Sequence, residues 1–195
     1  VWQTRFVANR AARGGGAAPG SGSATWIINS LFDRNVASTT IGSALFITRP
    51  YPVRLTHLTI ASPTQGAGSA IYVYNGLTGK NAQITDTILS NYRVGIESWG
   101  AGQTLENYNL FNGAITRTTG VVTGAYSLTG DPLFAGAANG NYHLQTGSPA
   151  IDHGLDLGIA ADLEGYPRSA PPDIGAFEWR SITLARRAWL PSVLR

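Results

Sequence analysis

The chain has 195 residues, 43% hydrophobic and only 13% charged, with 24 Gly, no Cys and a formal net charge of +3. That is enough apolar material for one continuous core and argues against disorder, while the missing cysteines exclude a disulfide framework and a thiolate metal site. No run approaches the roughly 18 apolar residues of a membrane helix, and the arginines (Arg5, Arg34, Arg54, Arg93, Arg117) are scattered and interleaved with acids, which argues against a nucleic-acid partner.

In chain order, the first segment is "FVAN" (6–9) followed by "GGG" (14–16). "TWIINSLFDRN" (25–35) leads to "GSALFI" (42–47), and "VRLTHLTIASP" (53–63) leads to the near-copy "GSAIYV" (68–73). "AQITDTILSNY" (82–92) precedes "VGIESW" (94–99), and "TLENYNLF" (104–111) precedes "GAI" (113–115). Aligned on the last apolar residue of each run, Phe32, Ile60 and Leu89 share one column at a spacing of roughly 28 residues, with about five copies in all. A period of this size means stacked supersecondary units.

The unit is a strand unit. In "RLTHLTI" and "ITDTIL" apolar and polar residues alternate with period 2, Val, Ile, Thr, Tyr and Phe dominate, and Gly, Asn, Ser and Pro collect between the runs. Each copy therefore reads as one coil of an all-β parallel solenoid with a ladder of like side chains inside. Ala44, Ala70 and Gly95 fit a crowded corner before the second strand, and Asn9, Asn35 and Asn91 suit turns that need a left-handed backbone or a side-chain cap.

Near residue 128 the texture changes. "GDPLF" (130–134), "GNYHLQTGSPAIDHG" (140–154), "DLEGYPR" (162–168) and "PDIGAFEW" (172–179) follow in sequence. This series resembles the C-terminal segment of secreted bacterial right-handed parallel β-helix proteins, the pectate-lyase-like group with a choice-of-anchor ending. The upstream "FxxN…GG" copies also look like the repeats of polymorphic outer-membrane adhesins. The repeats place coils over 1–128, the resemblance implies C-terminal coils and a cap over 129–179, and residues 180–195 read as an apolar, basic tail. As a cap, the second part offers Phe134, Tyr142, Leu144, Ile151, Ile174, Phe177 and Trp179 to cover the end of the stack. Its acids, Asp131, Asp152, Asp156, Asp162 and Asp173, are expected to cap turns, and Asp152 and Asp173 are the first candidates for a Ca²⁺ site. No other cofactor is expected.

Catalytic signals are sparse. The chain has no adjacent "DD", no "GHG" and no "RxK", and Asp33, Asp86 and Glu97, the acids of the first four coils, share no column. His57 falls in the column of Asn29 and Asp86, which reads as an outward or turn-side position, and His57, His143 and His153 read as surface or hydrogen-bonded histidines. Tyr72, Tyr74, Tyr92, Trp99 and Tyr108 could form a polysaccharide-binding strip, although part of them alternates inward. The expectation is an extracellular or cell-surface structural or adhesive protein without catalytic residues. The alternative is a fragment of a carbohydrate-active β-helical enzyme or a carbohydrate-binding module. Because the chain opens at Val1 without a signal-like segment, it reads as a processed or truncated product with an uncovered first coil. The tail residues Ile182, Leu184, Trp189, Leu190, Val193 and Leu194 are expected to add to an exposed edge of a protein partner or of another copy, building a head-to-tail filament or larger assembly.

Overall fold

A computed structural model describes residues 1–19, 24–48, 52–76 and 82–181. The chain is all-β and coils into a parallel β-solenoid of about four turns. Thr25–Asp33 pairs with Val53–Asn75 from Thr25↔Val53 to Asp33↔Ala61, and Val53–Asn75 pairs in turn with Ile88–Gly100. Arg5–Val7 precede this ladder, and Leu110–Asn112 and Leu128–Thr129 continue it, every pairing being parallel. Among the described residues no helix is long and apolar enough to cross a membrane.

The register places Phe6, Phe32, Ile60, Leu89 and Phe111 in one interior column. The rings of Phe6 and Phe32 stack at 4.5 Å, and Phe32, Ile60, Leu89 and Phe111 are buried. The near-repeat has the same cause. Leu45, Phe46 and Ile47 of "GSALFI" lie directly against Ile71, Tyr72 and Val73 of "GSAIYV", so the hexapeptides are neighbouring rungs that fill identical surroundings.

The small residues stand where expected. Ala44 hydrogen-bonds across to Ala70, and Gly16 to Ala44, one position before the paired strands. A Cβ on Gly95 would lie 2.6 Å from the Phe111 ring and 2.6 Å from the Arg117 carbonyl oxygen, because the interior aromatic column fills this corner. The asparagines divide into two roles. Asn9 Nδ2 donates to Asn35 Oδ1 at 3.0 Å, a rung of side chains between coils. Asn91 instead adopts a left-handed backbone (φ 62) one register position earlier, level with Arg34 (φ 54). A second left-handed corner recurs at Gln3, Asn29, His57, Asp86 and Tyr108, with φ between 47 and 54.

The C-terminal segment departs from the expected end cap: it covers a flank of the stack. An antiparallel hairpin, Phe134–Gly136 with Asn141–Leu144, is followed by an irregular strap. The strap touches coil after coil: Gln3 Nε2 donates to Asp162 O (2.8 Å), Ala176 N to Thr59 Oγ1 (3.0 Å) and Gly175 N to Asp86 O (2.9 Å). The physical reason lies in the strands beneath. Leu31, Ala61, Ile88 and Leu110 point outward, next to inward residues that are themselves apolar, so this sheet has two faces to bury. Leu31 and Ala61 pack with Tyr142, Leu163, Ala176 and Phe177, while Ile88 and Leu110 pack with Leu144, Ala150 and Ile174.

Two substitutions test the register. Leu89→Ala should lower stability by about 2–5 kcal/mol through the cavity it leaves in the column. Gly95→Val should cost about 1–3 kcal/mol through overpacking against Phe111. Denaturant unfolding monitored by circular dichroism checks both, and Leu89→Ala at wild-type stability would refute the packed column.

Candidate functional site

Polar chemistry concentrates in the seam between the strap and the left-handed corner. A left-handed residue breaks the strand alternation, so the side chains of Gln3, Asn29, His57 and Asp86 leave the coil and meet the strap. Asn29 Nδ2 donates to Ala161 O, and Asp86 Oδ1 accepts the Leu155 N–H at 2.8 Å. The hub is Arg168. Its Nη1 donates to Glu178 Oε2 (3.1 Å), and its Nη2 donates to Asn29 Oδ1 (2.9 Å) and Gly175 O (2.9 Å), with guanidinium and carboxylate both nearly free of solvent. Glu178 also accepts the N–H groups of Ser169 (2.7 Å) and Asp173 (3.2 Å).

The strap's aspartates fold it locally, as expected for turn caps. Asp162 Oδ1 accepts the Glu164 and Tyr166 N–H groups, and its Oδ2 accepts that of Glu178. Asp173 accepts the N–H groups of Asp152 (2.9 Å) and Trp179, one on each carboxylate oxygen. Burial pushes the Asp173 carboxyl up to about 6. Asp152, itself left-handed at φ 55, receives the Ser169 hydroxyl at 3.3 Å. Both oxygens of Asp173 are thus engaged by backbone, and no group of three potential metal ligands occurs among the described residues.

His57 corrects the expectation of an outward, solvated or hydrogen-bonded ring. It keeps the predicted column with Asn29 and Asp86 yet is fully buried, with Nε2 3.6 Å from Asp86 Oδ2 and no hydrogen bond to either ring nitrogen among the described residues. The carbonyls of Asp173 and Gly175 face the ring without closing to hydrogen-bond geometry. Burial, reinforced by the Arg168 cation, lowers His57 to about 3, and burial raises Asp86 to about 7. A cleft of about 260 Å³, lined by His57, Leu157, Ile159, Arg168, Ser169 and Pro172, opens against the His57 side of this pair. His143, half-buried, and His153, exposed, are both hydrogen-bonded, His143 Nε2 lying 3.0 Å from Glu164 Oε2.

A second surface lies on the outer face of the "GSALFI" strands. Phe46, Tyr72 and Glu97 form one column, and Thr48, Tyr74 and Trp99 the next. The Phe46 and Tyr72 rings stack at 5.3 Å, Arg13 lies 5.4 Å over Phe46, and Trp99 Nε1 donates to Glu97 Oε1 at 2.9 Å. Tyr74 and Trp99 are 46% and 47% exposed. Of the five aromatic residues singled out in the sequence, Tyr72, Tyr74 and Trp99 therefore share this face. Tyr92 is buried in the core, and Tyr108 sits at the left-handed corner, stacked on Tyr126 at 5.2 Å.

The acids of the coils remain apart. Asp33 lies under the hairpin, taking the Tyr142 hydroxyl and Arg34 Nη2, while Asp86 lies under the strap and Glu97 on the aromatic face. Glu106 occupies the column of Leu55 and Ile84. Ile182, Leu184, Trp189, Leu190, Val193 and Leu194 lie outside the described residues. No family model, curated protein or solved structure matches the chain.

Removing Arg168 should detach the strap. Arg168→Ala leaves Glu178 buried without its cation and should cost about 3–5 kcal/mol. Arg168→Lys should recover only part of this, since an ammonium cannot span Glu178, Asn29 and Gly175 together. Denaturant unfolding and limited proteolysis within 150–178 check both, and a fully stable Arg168→Ala variant would refute the hub.

Proposed function

We propose that this protein is a non-enzymatic, exported structural or adhesive component whose solenoid presents the Phe46–Tyr72–Tyr74–Trp99 face to a polysaccharide. The observation that carries the reading is this face itself. Tyr74 and Trp99, in adjacent coils, expose about half their surface beside a hydrogen-bonding carboxylate, Glu97. Aromatic rings joined to a few fixed polar groups suit ligands with alternating apolar and hydroxyl-bearing surfaces, as sugars have. The resemblance of residues 130–179 to the endings of secreted bacterial pectate-lyase-like β-helices supports export and the surface role. The separation of Asp33, Asp86, Glu97 and Glu106 into different columns supports binding over hydrolysis, which needs two carboxylates flanking one bond.

Affinity electrophoresis through gels containing xylan, pectin or a soluble β-glucan tests the reading. Retardation in at least one gel is expected, weakened about tenfold in Trp99→Ala and Tyr74→Ala variants whose unfolding is unchanged. Retardation in none of a broad panel, or retardation indifferent to both substitutions, would overturn it.

A specific observation also favours assembly. Thr116–Gly120, Val122–Thr123 and Leu128–Thr129, the strands of the last coil, pair on one side only among the described residues. Ile115, Val121 and Tyr126 stand exposed beside them. Such an edge accepts a further strand from a partner or another copy. Sedimentation velocity over a concentration series should reveal a larger species, and Ile115→Lys with Val121→Lys should dissolve it. A strictly monomeric wild type would eliminate self-assembly.

A further inference from the structure

The seam described above contains a pair of groups that neither the strap's turn chemistry nor the aromatic face explains. His57 and Asp86 are each fully buried, occupy neighbouring coils in one left-handed column, and approach to 3.6 Å. Asp86 is the coil's anchor for the strap, since its Oδ1 accepts the Leu155 N–H and its backbone carbonyl accepts the Gly175 N–H. Its Oδ2 and both ring nitrogens of His57 have no hydrogen-bond partner among the described residues.

Such a pair has two arrangements, an imidazolium with a carboxylate or a neutral ring with a neutral carboxyl. The charged form would place a fully buried imidazolium beside the Arg168 cation and a second ion on Asp86, with the Asp173 and Gly175 carbonyls and Asp86 Oδ2 facing the ring short of hydrogen-bond geometry. The neutral form leaves one proton on oxygen and no buried charge. The other ionisable groups at the seam keep this balance. Arg168 is neutralised by Glu178, the Asp173 carboxylate is turned toward the Asp152 and Trp179 amides, and Asp156 stands exposed at the cleft mouth. The ring of His153 turns away toward Ile151 O at the surface.

We propose that His57 and Asp86 work as one acid–base pair carrying a single proton on the Asp86 carboxyl, and that loss of this proton as the solution passes neutrality loosens the strap from the coils. The cleft of about 260 Å³ reaches the His57 side of the pair.

Linkage fixes the signs. Asp86, raised from 3.8 to about 7 by burial, contributes stability that is full below pH 3.8 and is lost as pH rises toward 7. His57, lowered from 6.5 to about 3 by burial, contributes stability that is full above pH 6.5 and is lost as pH falls toward 3. Between about pH 4 and 6.5 the two slopes oppose each other, because folding moves one proton from the ring to the carboxyl without net uptake. Each single substitution exposes the slope of the remaining partner.

The experiment measures unfolding constants from pH 4 to 8 for wild type, Asp86→Asn and His57→Gln, each variant being read as a difference from wild type so that Asp173 cancels. Relative to wild type, Asp86→Asn should lose at least tenfold in stability as pH falls from 6.5 to 4, and His57→Gln at least tenfold as pH rises from 4 to 7. Parallel curves for all three proteins would overturn the proposal. Should a variant fail to fold, NMR of the wild type decides: a His57 ring protonated above pH 5, or an Asp86 carboxyl carbon titrating below pH 5, would also overturn it. Proteolysis at residues 150–178 should accelerate at least tenfold between pH 6 and 8.5 in wild type relative to Asp86→Asn. Equal acceleration in both would place the loosening elsewhere.

Discussion

One-to-one parallel register is the constraint on which the molecule depends. When each coil lies directly on the next, a side chain's nearest neighbours are the residues at the same position one coil earlier and later, about 4.8 Å away. A bulky aromatic at one position then dictates a small residue at another. The Phe32 and Phe111 rings occupy the space in which a Cβ on Gly16 or Gly95 would stand. The same constraint repeats backbone geometry, so the left-handed corner at Gln3, Asn29, His57, Asp86 and Tyr108 recurs whichever residue holds it. Only some of these residues favour that conformation intrinsically, so the stacking of the flanking strands imposes it.

A solenoid of this kind buries its interior automatically but not its outside. Leu31, Ile88 and Leu110 project from the sheet that carries the interior column, and a coil stack alone would leave them in water. The strap removes that exposure and meets a backbone problem in doing so, because an irregular segment lacks a ladder for its N–H groups. Its aspartates and Glu178 supply the acceptors, and Arg168 pairs with Glu178. A buried ion pair of this type gains little against an apolar equivalent and fixes one docking geometry when every lone pair is used.

Much of the coil was legible from residues because it obeys a local rule repeated many times. Period-2 alternation marked the strands, and alignment of Phe32 with Ile60 and Leu89 gave the interior column. The column of Asn29, His57 and Asp86 was legible too, but its burial was not. Polar residues at a turn normally face water, and the segment that covers them lies far along the chain, with no period to announce where it docks. A signal did exist in the adjacent apolar pairs Leu31–Phe32, Ile88–Leu89 and Leu110–Phe111, which mark a strand buried on both faces. That pattern points to a lateral cover, whereas the bulky residues of the C-terminal segment, considered alone, suit the end of the stack equally well. Among the aromatics, alternation separates core from surface only where the strand is regular, which is why Tyr72, Tyr74 and Trp99 sort together and Tyr108, at a left-handed corner, does not.

The aromatic face and the seam sit on different stretches of each coil, one on the strands of "GSALFI" and its neighbours, the other at the corner before Phe32, Ile60 and Leu89. They share no side chain: Glu97 turns to Trp99, whereas Asp86 turns to the strap. Energetic coupling between sites without shared partners is small, unless both bias one two-state element. The strap is the element that a change of protonation would move, and it covers the sheet of the interior column, leaving the aromatic strands outside its contacts. On the two proposals made above, polysaccharide binding at Trp99 and Tyr74 should therefore be independent of the protonation of Asp86.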